Sequence, residues 1–332
     1  SSYGEIISMD ESPLWYKILW VGTDDGNLQV SRDGGKNWNE VSQNIYGLPS
    51  DSYVSRVISS KKGRGTAYVT FDRHREGDWS PYVFRTDDYG QTWQDLSDDL
   101  PSGSINVILE HPDNPNVLFL GTEHAVFISM NSGNDWVEFN SNLPTTLYDD
   151  MVIHPREKDL VLGTHGRSFW VLDDTAPLAE WSESLDSPVH IYSIRPTTLF
   201  HYWKDTSYRG QEEWTGPNPD YGAIINFIVN SNEGQAFIEI KRRNKTIRSY
   251  QLSVSPGVIN RFVWDLKHPP PPFIENNKET PGLIKPDKSE LLPIPPHSLD
   301  AKGPHVSPGV YTVTVSVGNK SHSQTVRVNG DP

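Results

Sequence analysis

The octapeptide Ser31-Arg32-Asp33-Gly34-Gly35-Lys36-Asn37-Trp38 returns as Thr86-Asp87-Asp88-Tyr89-Gly90-Gln91-Thr92-Trp93 and again as Ser129-Met130-Asn131-Ser132-Gly133-Asn134-Asp135-Trp136. Each copy has a hydroxyl residue, Asp or Asn two positions on, Gly two further, and Trp three beyond that. Such a pattern closes a tight hairpin. The Asp or Asn side chain accepts backbone N–H groups of the turn, Gly supplies a positive φ, and the hydroxyl ties the incoming strand. Trp then opens the outgoing strand with a large apolar body to wedge against a neighbour. The copies begin at residues 31, 86 and 129, hence 55 and then 43 residues apart, the spacing of a four-stranded unit repeated around an axis.

These octapeptides resemble the Asp box, or bacterial neuraminidase repeat, which marks β-propeller blades in sialidases, xyloglucan-hydrolysing double propellers and sortilin-type receptors. The resemblance covers about the first half of the chain and implies a propeller. It implies no activity, since the box serves enzymes and receptors alike. Ser31, Asp33, Gly35, Trp38, Thr86, Asp88, Gly90, Trp93, Ser129, Asn131, Gly133 and Trp136 are therefore expected to be structural.

Composition agrees with many short strands joined by tight turns: 11 Trp, 14 Tyr, 11 Phe, 25 Gly and 26 Pro in 332 residues. The length accommodates two domains with sizeable cores. A formal net charge of −14 argues against nucleic acid or an anionic membrane as partner, because their phosphates would be repelled. Cysteine is absent, so disulfides hold nothing together, and the cysteine-stabilised module that follows the sortilin propeller is not expected. No apolar run approaches the roughly 20 residues of a membrane span. The chain has no signal peptide, begins with Ser and opens directly on a strand pattern, which points to a cut or processed start and to blades upstream.

Blade 1 reads as runs 5–9, 18–23, 27–32 and 38–42, blade 2 as 53–59, 66–71, 82–85 and 93–96, and blade 3 as 105–110, 117–122, 125–130 and 136–140. In each, β-branched and aromatic residues are bounded by Gly, Pro, Asn and Asp. A fourth unit has 150–154, 159–164 and 168–172, but Asp173-Asp174 is followed by no box. Rings of about four to eight blades are usual, so the missing blades are expected from an upstream segment or from another chain.

Residues 176–184 fit a short helix and 189–194 a strand leaving the propeller. Further strand candidates follow at 221–229, 236–242, 246–254, 260–266, 309–317 and 321–328, with the alternation of an antiparallel sandwich. The stretches 257–265 and 307–313, which carry Trp264-Asp265 and Pro308-Gly309-Val310-Tyr311, resemble the immunoglobulin-like module of flagellar hook-capping proteins and of secretion-associated C-terminal domains. Between them, a segment opened by Pro269 to Pro272 and rich in Pro, Lys and Asp is expected to be an irregular excursion. The fold class expected is all-β: an Asp-box propeller of about four blades, part of a larger ring, over residues 1–175; a linker over 176–195; and an immunoglobulin- or fibronectin-like sandwich over 196–332, interrupted at 268–306. The order of boxed propeller, Val152-Ile153-His154-Pro155-Arg156, Gly163-Thr164-His165-Gly166-Arg167 and the Trp264-Asp265-Leu266 strand also resembles the secreted propeller proteins of Bacteroidota called sortilin-like or glycosyl-hydrolase-like.

Propeller geometry assigns the faces. The second-to-third-strand turns and the connections between blades lie opposite the boxes, near the central channel where propeller ligands usually bind. His74, Arg75, Glu123, His124, His165 and Arg167 gather on that rim as ligand-binding candidates. Such a cluster can bind a sugar or peptide, a metal, or water; Arg167 can instead pin the fourth blade by pairing with Asp149 or Asp174. The turn 72–78 is longer than a hairpin requires and is the first choice for a recognition loop. Glycosidase chemistry needs two carboxylates about 5 to 10 Å apart, one with a raised pKa, and Asp72, Asp78 and Glu123 are the catalytic candidates. A sialidase would add three arginines and a Tyr nucleophile, and the Arg-Ile-Pro stretch near the first blade is absent. No nucleotide loop, zinc-helix motif, nucleophile elbow or calcium-hand loop occurs, so no cofactor and no metal are expected.

These observations point first to a secreted or cell-surface recognition or scaffold protein, extracellular or periplasmic, that binds a glycan or peptide on the face opposite the boxes. The alternatives are a glycoside hydrolase with a cleft completed by upstream blades, and a structural subunit of an extracellular assembly. The expected partners are the ligand and, at the open blade edge, an upstream propeller segment or another subunit.

Overall fold

The computed structural model describes residues 4–200, 220–232, 234–269 and 303–331. The chain divides into two compact units, Ser1–Ser182 and Glu183–Pro332. Unit 1 is built of four antiparallel sheets in sequence. Blade 1 is β1 (Ile6–Glu11), β2 (Leu19–Thr23), β3 (Leu28–Ser31) and β4 (Asn39–Glu40). Blade 2 is β5 (Tyr53–Ser59), β6 (Ala67–Asp72), β7 (Tyr82–Thr86) and β8 (Gln94–Asp95). Blade 3 is β9 (Ile105–Glu110), β10 (Leu118–Thr122), β11 (Val126–Ser129) and β12 (Val137–Glu138). The fourth sheet has three strands, β13 (Tyr148–Ile153), β14 (Leu160–Thr164) and β15 (Phe169–Leu172). No helix among the described residues is long and apolar enough to cross a membrane.

Each box joins the third strand of a blade to its fourth. Gly35 N donates to Ser31 Oγ at 2.8 Å, Gly90 N to Thr86 Oγ1 at 2.9 Å and Gly133 N to Ser129 Oγ at 2.8 Å. The third residue of each box then gathers the turn: Asn37 N donates to Asp33 Oδ1 at 2.9 Å, Thr92 N to Asp88 Oδ1 at 2.9 Å and Asp135 N to Asn131 Oδ1 at 3.0 Å. The Asn37 backbone N–H, helped by the Asn37 amide and Ser31, pulls the Asp33 carboxyl down to about 2.

Three apolar clusters fill the three blade-to-blade interfaces. Trp20, Leu28 and Val41 of blade 1 meet Val54, Val69 and Phe71 of blade 2. Tyr68, Val83 and Leu96 meet Ile105, Leu120 and Trp136 across the next interface. Val107, Phe119 and Val126 meet Tyr148, Met151 and Leu162 across the last. The box tryptophans follow this order. Trp93 packs edge-on against Trp20 of the preceding blade at 6.1 Å, and Trp136 donates Nε1–H to Leu96 O at 2.9 Å. Trp38, with no described blade before it, is 38% exposed and donates to Gly35 O within its own turn.

The box glycines sit under the same constraint. All three have positive φ, but a Cβ on Gly90 would lie 2.8 Å from Val41 of the preceding blade, whereas one on Gly35 would meet nothing nearer than Leu19 at 3.6 Å. Gly35→Ala is expected to cost about 1 kcal/mol of backbone strain, and Gly90→Ala a further 1 to 3 kcal/mol, roughly, from overpacking. Chemical denaturation of the two variants measures the difference; equal losses would mean that Val41 does not hold the blade in place.

The innermost strands are stitched to one another around the channel. Val57 N donates to Ser8 Oγ at 2.9 Å, Ser59 N to the half-buried Asp10 carboxylate at 2.6 Å, and Ser55 Oγ to Ile105 O at 2.6 Å. Among the described residues no strand of the fourth sheet pairs with blade 1. Both outer flanks expose apolar side chains: Ile6 and Met9 on blade 1, Val152, Phe169 and Val171 on the fourth sheet.

The fourth sheet ends without a box. Asp174 N bonds Asp159 Oδ1, Thr175 Oγ1 donates to Lys158 O at 2.7 Å, and His111 of blade 3 meets Thr175 Oγ1 through Nε2 at 2.9 Å. Asn114 caps the next turn by donating to Ala179 O at 2.7 Å. The single helix expected over 176–184 is two short ones, α1 (Ala176–Ala179) and α2 (Trp181–Leu185).

Unit 2 has two sheets around one core. The first is β16 (Val189–Ile191), β18 (Ala223–Val229) and β21 (Ile259–Trp264), with β18 central. The second runs β17 (Thr197–Thr198), β23 (Lys320–Asn329), β22 (Gly309–Val317), β19 (Gln235–Arg242) and β20 (Lys245–Ser253). Ile225, Phe227 and Trp264 from one sheet pack with Ile238, Ile240, Tyr311 and Val313 from the other. Much of the expected 268–306 excursion lies outside the described residues; its two ends meet, His268 N donating to Pro304 O and Val306 N to Leu266 O.

Candidate functional site

The channel face of unit 1 holds a cavity of about 330 Å³ to which every blade contributes. Ile7 comes from blade 1, Asn106 from blade 3, and Leu147 and Asp149 from the fourth unit; blade 2 supplies Tyr53, Ser55, Arg56, Asp72, His74 and Arg75. All but Asp72, His74 and Arg75 belong to innermost strands or the residues entering them. Asp72 ends β6, and His74 and Arg75 belong to the long turn that follows, where a one-turn 3₁₀ helix, His74–Glu76, closes on Gly77.

Arg56 crosses from blade 2 to the fourth sheet, its Nη2 lying 2.7 Å from Asp150 Oδ1. Among the described residues its Nε is buried without a hydrogen-bond partner, as is Asn106 Nδ2, so this region holds two donors with spare capacity. Arg75 lies over the Tyr53 ring at 5.4 Å. Asp72 accepts His74 N at 2.9 Å on one oxygen and pairs with His74 Nδ1 at 2.6 Å on the other.

Of the catalytic candidates, Asp78 is tied down: Tyr82 Oη donates to it at 2.8 Å, Ser80 N at 3.0 Å, and Arg73 Nε lies 3.3 Å away. Burial pushes its carboxyl up, but these donors outweigh burial and leave it below the usual carboxylate range. A carboxyl held ionised in this way is unsuited to serve as a general acid. Asp72 and Glu123 are different, for the fold brings them together with His74, one ligand atom of each lying within 4.8 Å of the others. Glu123 enters from the β10–β11 turn of blade 3.

The remaining candidates lie apart from that cluster. His124 is exposed, 3.9 Å from Glu123, and lines a separate small cleft with Phe139 and Tyr148. His165, at the rim, faces Asp149 at 3.6 Å. The alternative for Arg167, a pairing with Asp149 or Asp174, does not form among the described residues; its carbonyl accepts from Trp170 Nε1 at 3.0 Å. Arg56 and Asn106 were missed by sequence reasoning. The signal available for Arg56 was a charged residue inside an innermost strand, Tyr53–Ser59, where one face borders the channel.

Residues 81–213 match the family model Sortilin-Vps10, described as sortilin, neurotensin receptor 3. The chain is similar to sortilin-type propeller proteins. The match runs from the third strand of blade 2, through the second and third boxes, into unit 2. No curated protein matches the sequence. Among solved structures, the GH74 enzyme of Niastella koreensis aligns at 11% identity and TM-score 0.40, over 50% of this chain and 28% of that one. The GH74 xyloglucanase of Xanthomonas campestris aligns at 16% identity and TM-score 0.38, over 47% and 25%. The extracellular domain of a one-component system from B. thetaiotaomicron aligns at 12% and 0.37, over 99% of this chain and 37% of that one. The chain thus spans well under half the length of each. The strand order and the box hydrogen bonds, rather than these alignments, define its blades.

Proposed function

We propose that the chain is part of an extracellular or secreted recognition and scaffold protein whose channel face binds a glycan or an extended peptide. The observation that carries this is the cavity to which all four blades contribute, with Arg56, Arg75 and His74 beside Asp72, the Tyr53 ring, and the partnerless donors Arg56 Nε and Asn106 Nδ2. A ring face with charges of both signs, an aromatic platform and free donors matches the hydroxyls of a sugar or the main chain of a peptide. The sortilin-type match supports the setting. The exposed apolar flanks support the scaffold part: further blades, or another subunit, would cover Phe169 and Val171 on one side and Ile6 and Met9 on the other.

Glycan-array and peptide-library binding to the 332-residue chain tests this reading. Arg56→Ala and Arg75→Ala are each expected to weaken any captured ligand by about tenfold or more, the loss for a desolvated charged hydrogen bond. Stability should change by less than about 1 kcal/mol, because the Arg56–Asp150 pair is partly exposed. Binding indifferent to both substitutions would place the ligand elsewhere and overturn the proposal.

The second reading, glycoside hydrolysis, draws on the approach of Asp72 to Glu123, near the separation used by retaining enzymes. Release of reducing ends from plant, algal or host glycans, abolished by Glu123→Gln, would establish it over pure binding.

A further inference from the structure

We propose that Asp72, His74 and Glu123 form a binding site for one divalent transition-metal ion, Zn²⁺ by preference, joining the long turn of blade 2 to the β10–β11 turn of blade 3. The three side chains each offer one ligand atom, and those atoms lie within 4.8 Å of one another. One imidazole nitrogen and two carboxylate oxygens are a donor set suited to Zn²⁺ or Mn²⁺ rather than to the all-oxygen shells of Ca²⁺ and Mg²⁺.

Charge accounting points the same way. The Asp72 and Glu123 side chains are only 13% and 14% exposed, so two carboxylates are held close together where water screens them poorly. The nearby arginines are turned to other partners. Arg73 bonds Ser50 O and Ser52 Oγ and pairs with Asp78, Arg56 reaches Asp150, and Arg75 covers Tyr53. Among the described residues the basic groups paired with these carboxylates are imidazoles, His74 with Asp72 at 2.6 Å and the exposed His124 with Glu123 at 3.9 Å. A dication supplies the missing positive charge and converts the repulsion into a tie between two blades.

The ligands are also pre-positioned. Asp72 is aimed by the His74 backbone N–H, and the His74 ring rests against Trp79 with centroids 6.1 Å apart. Three protein ligands leave a coordination position open, as in catalytic rather than structural zinc sites. Asp72 and His74 line the channel cavity, where Asn106 Nδ2 stands as a buried donor without a partner. The open position therefore adjoins the cavity, and a sugar hydroxyl, a peptide carboxylate or water can fill it.

Calorimetric titration of the chelator-treated 332-residue chain with Zn²⁺, Mn²⁺ and Ca²⁺ tests the site. One Zn²⁺ per chain is expected, with Ca²⁺ weaker. Glu123→Gln and His74→Ala should each weaken Zn²⁺ by about 100-fold or more, since loss of even an outer-shell partner costs about 10- to 100-fold. His154→Ala, at the far end of the β13–β14 hairpin, should leave Zn²⁺ binding unchanged. Circular dichroism in chelator should show the variants folded; if one is not, the visible absorption of Co²⁺ bound to the unaltered chain reports nitrogen and oxygen ligation directly. No Zn²⁺ binding, one equivalent surviving both substitutions, tighter Ca²⁺ than Zn²⁺, or a Co²⁺ spectrum of the free aqueous ion would each overturn the proposal. The readout needs neither glycan nor peptide, so it stands or falls apart from the recognition role.

Discussion

Replacing Trp93 by alanine is expected to cost about 3 to 5 kcal/mol, the range for truncating a large aromatic in a core, whereas Trp38→Ala should cost less than about 1 kcal/mol. The two residues occupy the same place in their boxes, so local propensity and turn chemistry are matched and only the neighbour differs. Trp93 lies edge-on to the fully buried Trp20 and packs on the cluster that joins blades 1 and 2. Trp38 is 38% exposed and reaches only its own turn. Urea unfolding of both variants, followed by circular dichroism because the substitutions remove fluorophores, gives the comparison. Equal costs would mean that the box tryptophan acts within its hairpin and not as a wedge between blades. A Trp93 cost below about 1 kcal/mol would contradict the packing of blade 2 on blade 1.

What made the blades legible is that the box is a local device. Ser31, Asp33, Gly35 and Asn37 satisfy one another within six positions, so their spacing alone announces the turn. Strands of blades pair with sequence neighbours, and alternation predicted nearly all of them. The short Thr197–Thr198 strand escaped because it pairs in parallel with Val328 and Asn329, far along the chain. The site was legible only as residue types on a rim. Asp72 meeting Glu123, or Arg56 reaching Asp150 across 94 positions, depends on the rotation from one blade to the next, which no hydrophobic pattern encodes. The fourth sheet shows the same limit: its missing box was visible in sequence, but the replacement, His111 locked to Thr175, was not.

That replacement makes stability sensitive to mild acid. His111 is fully buried, with Asp113 N donating to its Nδ1 at 3.1 Å. Because Thr175 Oγ1 gives its proton to Lys158 O, it can only accept from His111, which fixes the neutral tautomer with the proton on Nε2. Burial is the main force pushing the imidazole down from 6.5 to about 4; Lys158 and Lys61 push the same way, and Asp113 opposes them. A folded pKa below the unfolded one means that the stabilisation is complete above about pH 6.5 and is lost as pH falls toward about 4, because the unfolded chain takes up a proton that the native state refuses. At about 1.4 kcal/mol per unit, the shift corresponds to roughly 3 kcal/mol over that window. Buried carboxyls titrate there too, so the test is a difference: His111→Gln keeps a donor for Thr175 but cannot titrate. Between pH 7.5 and 4.5 the unaltered chain should lose about 2 to 3 kcal/mol more than the variant in urea unfolding. Parallel losses in the two proteins would show that His111 takes up its proton at Nδ1 as readily in the native state as in the unfolded chain, so that losing the Asp113 N–H bond to Nδ1 costs the fold nothing.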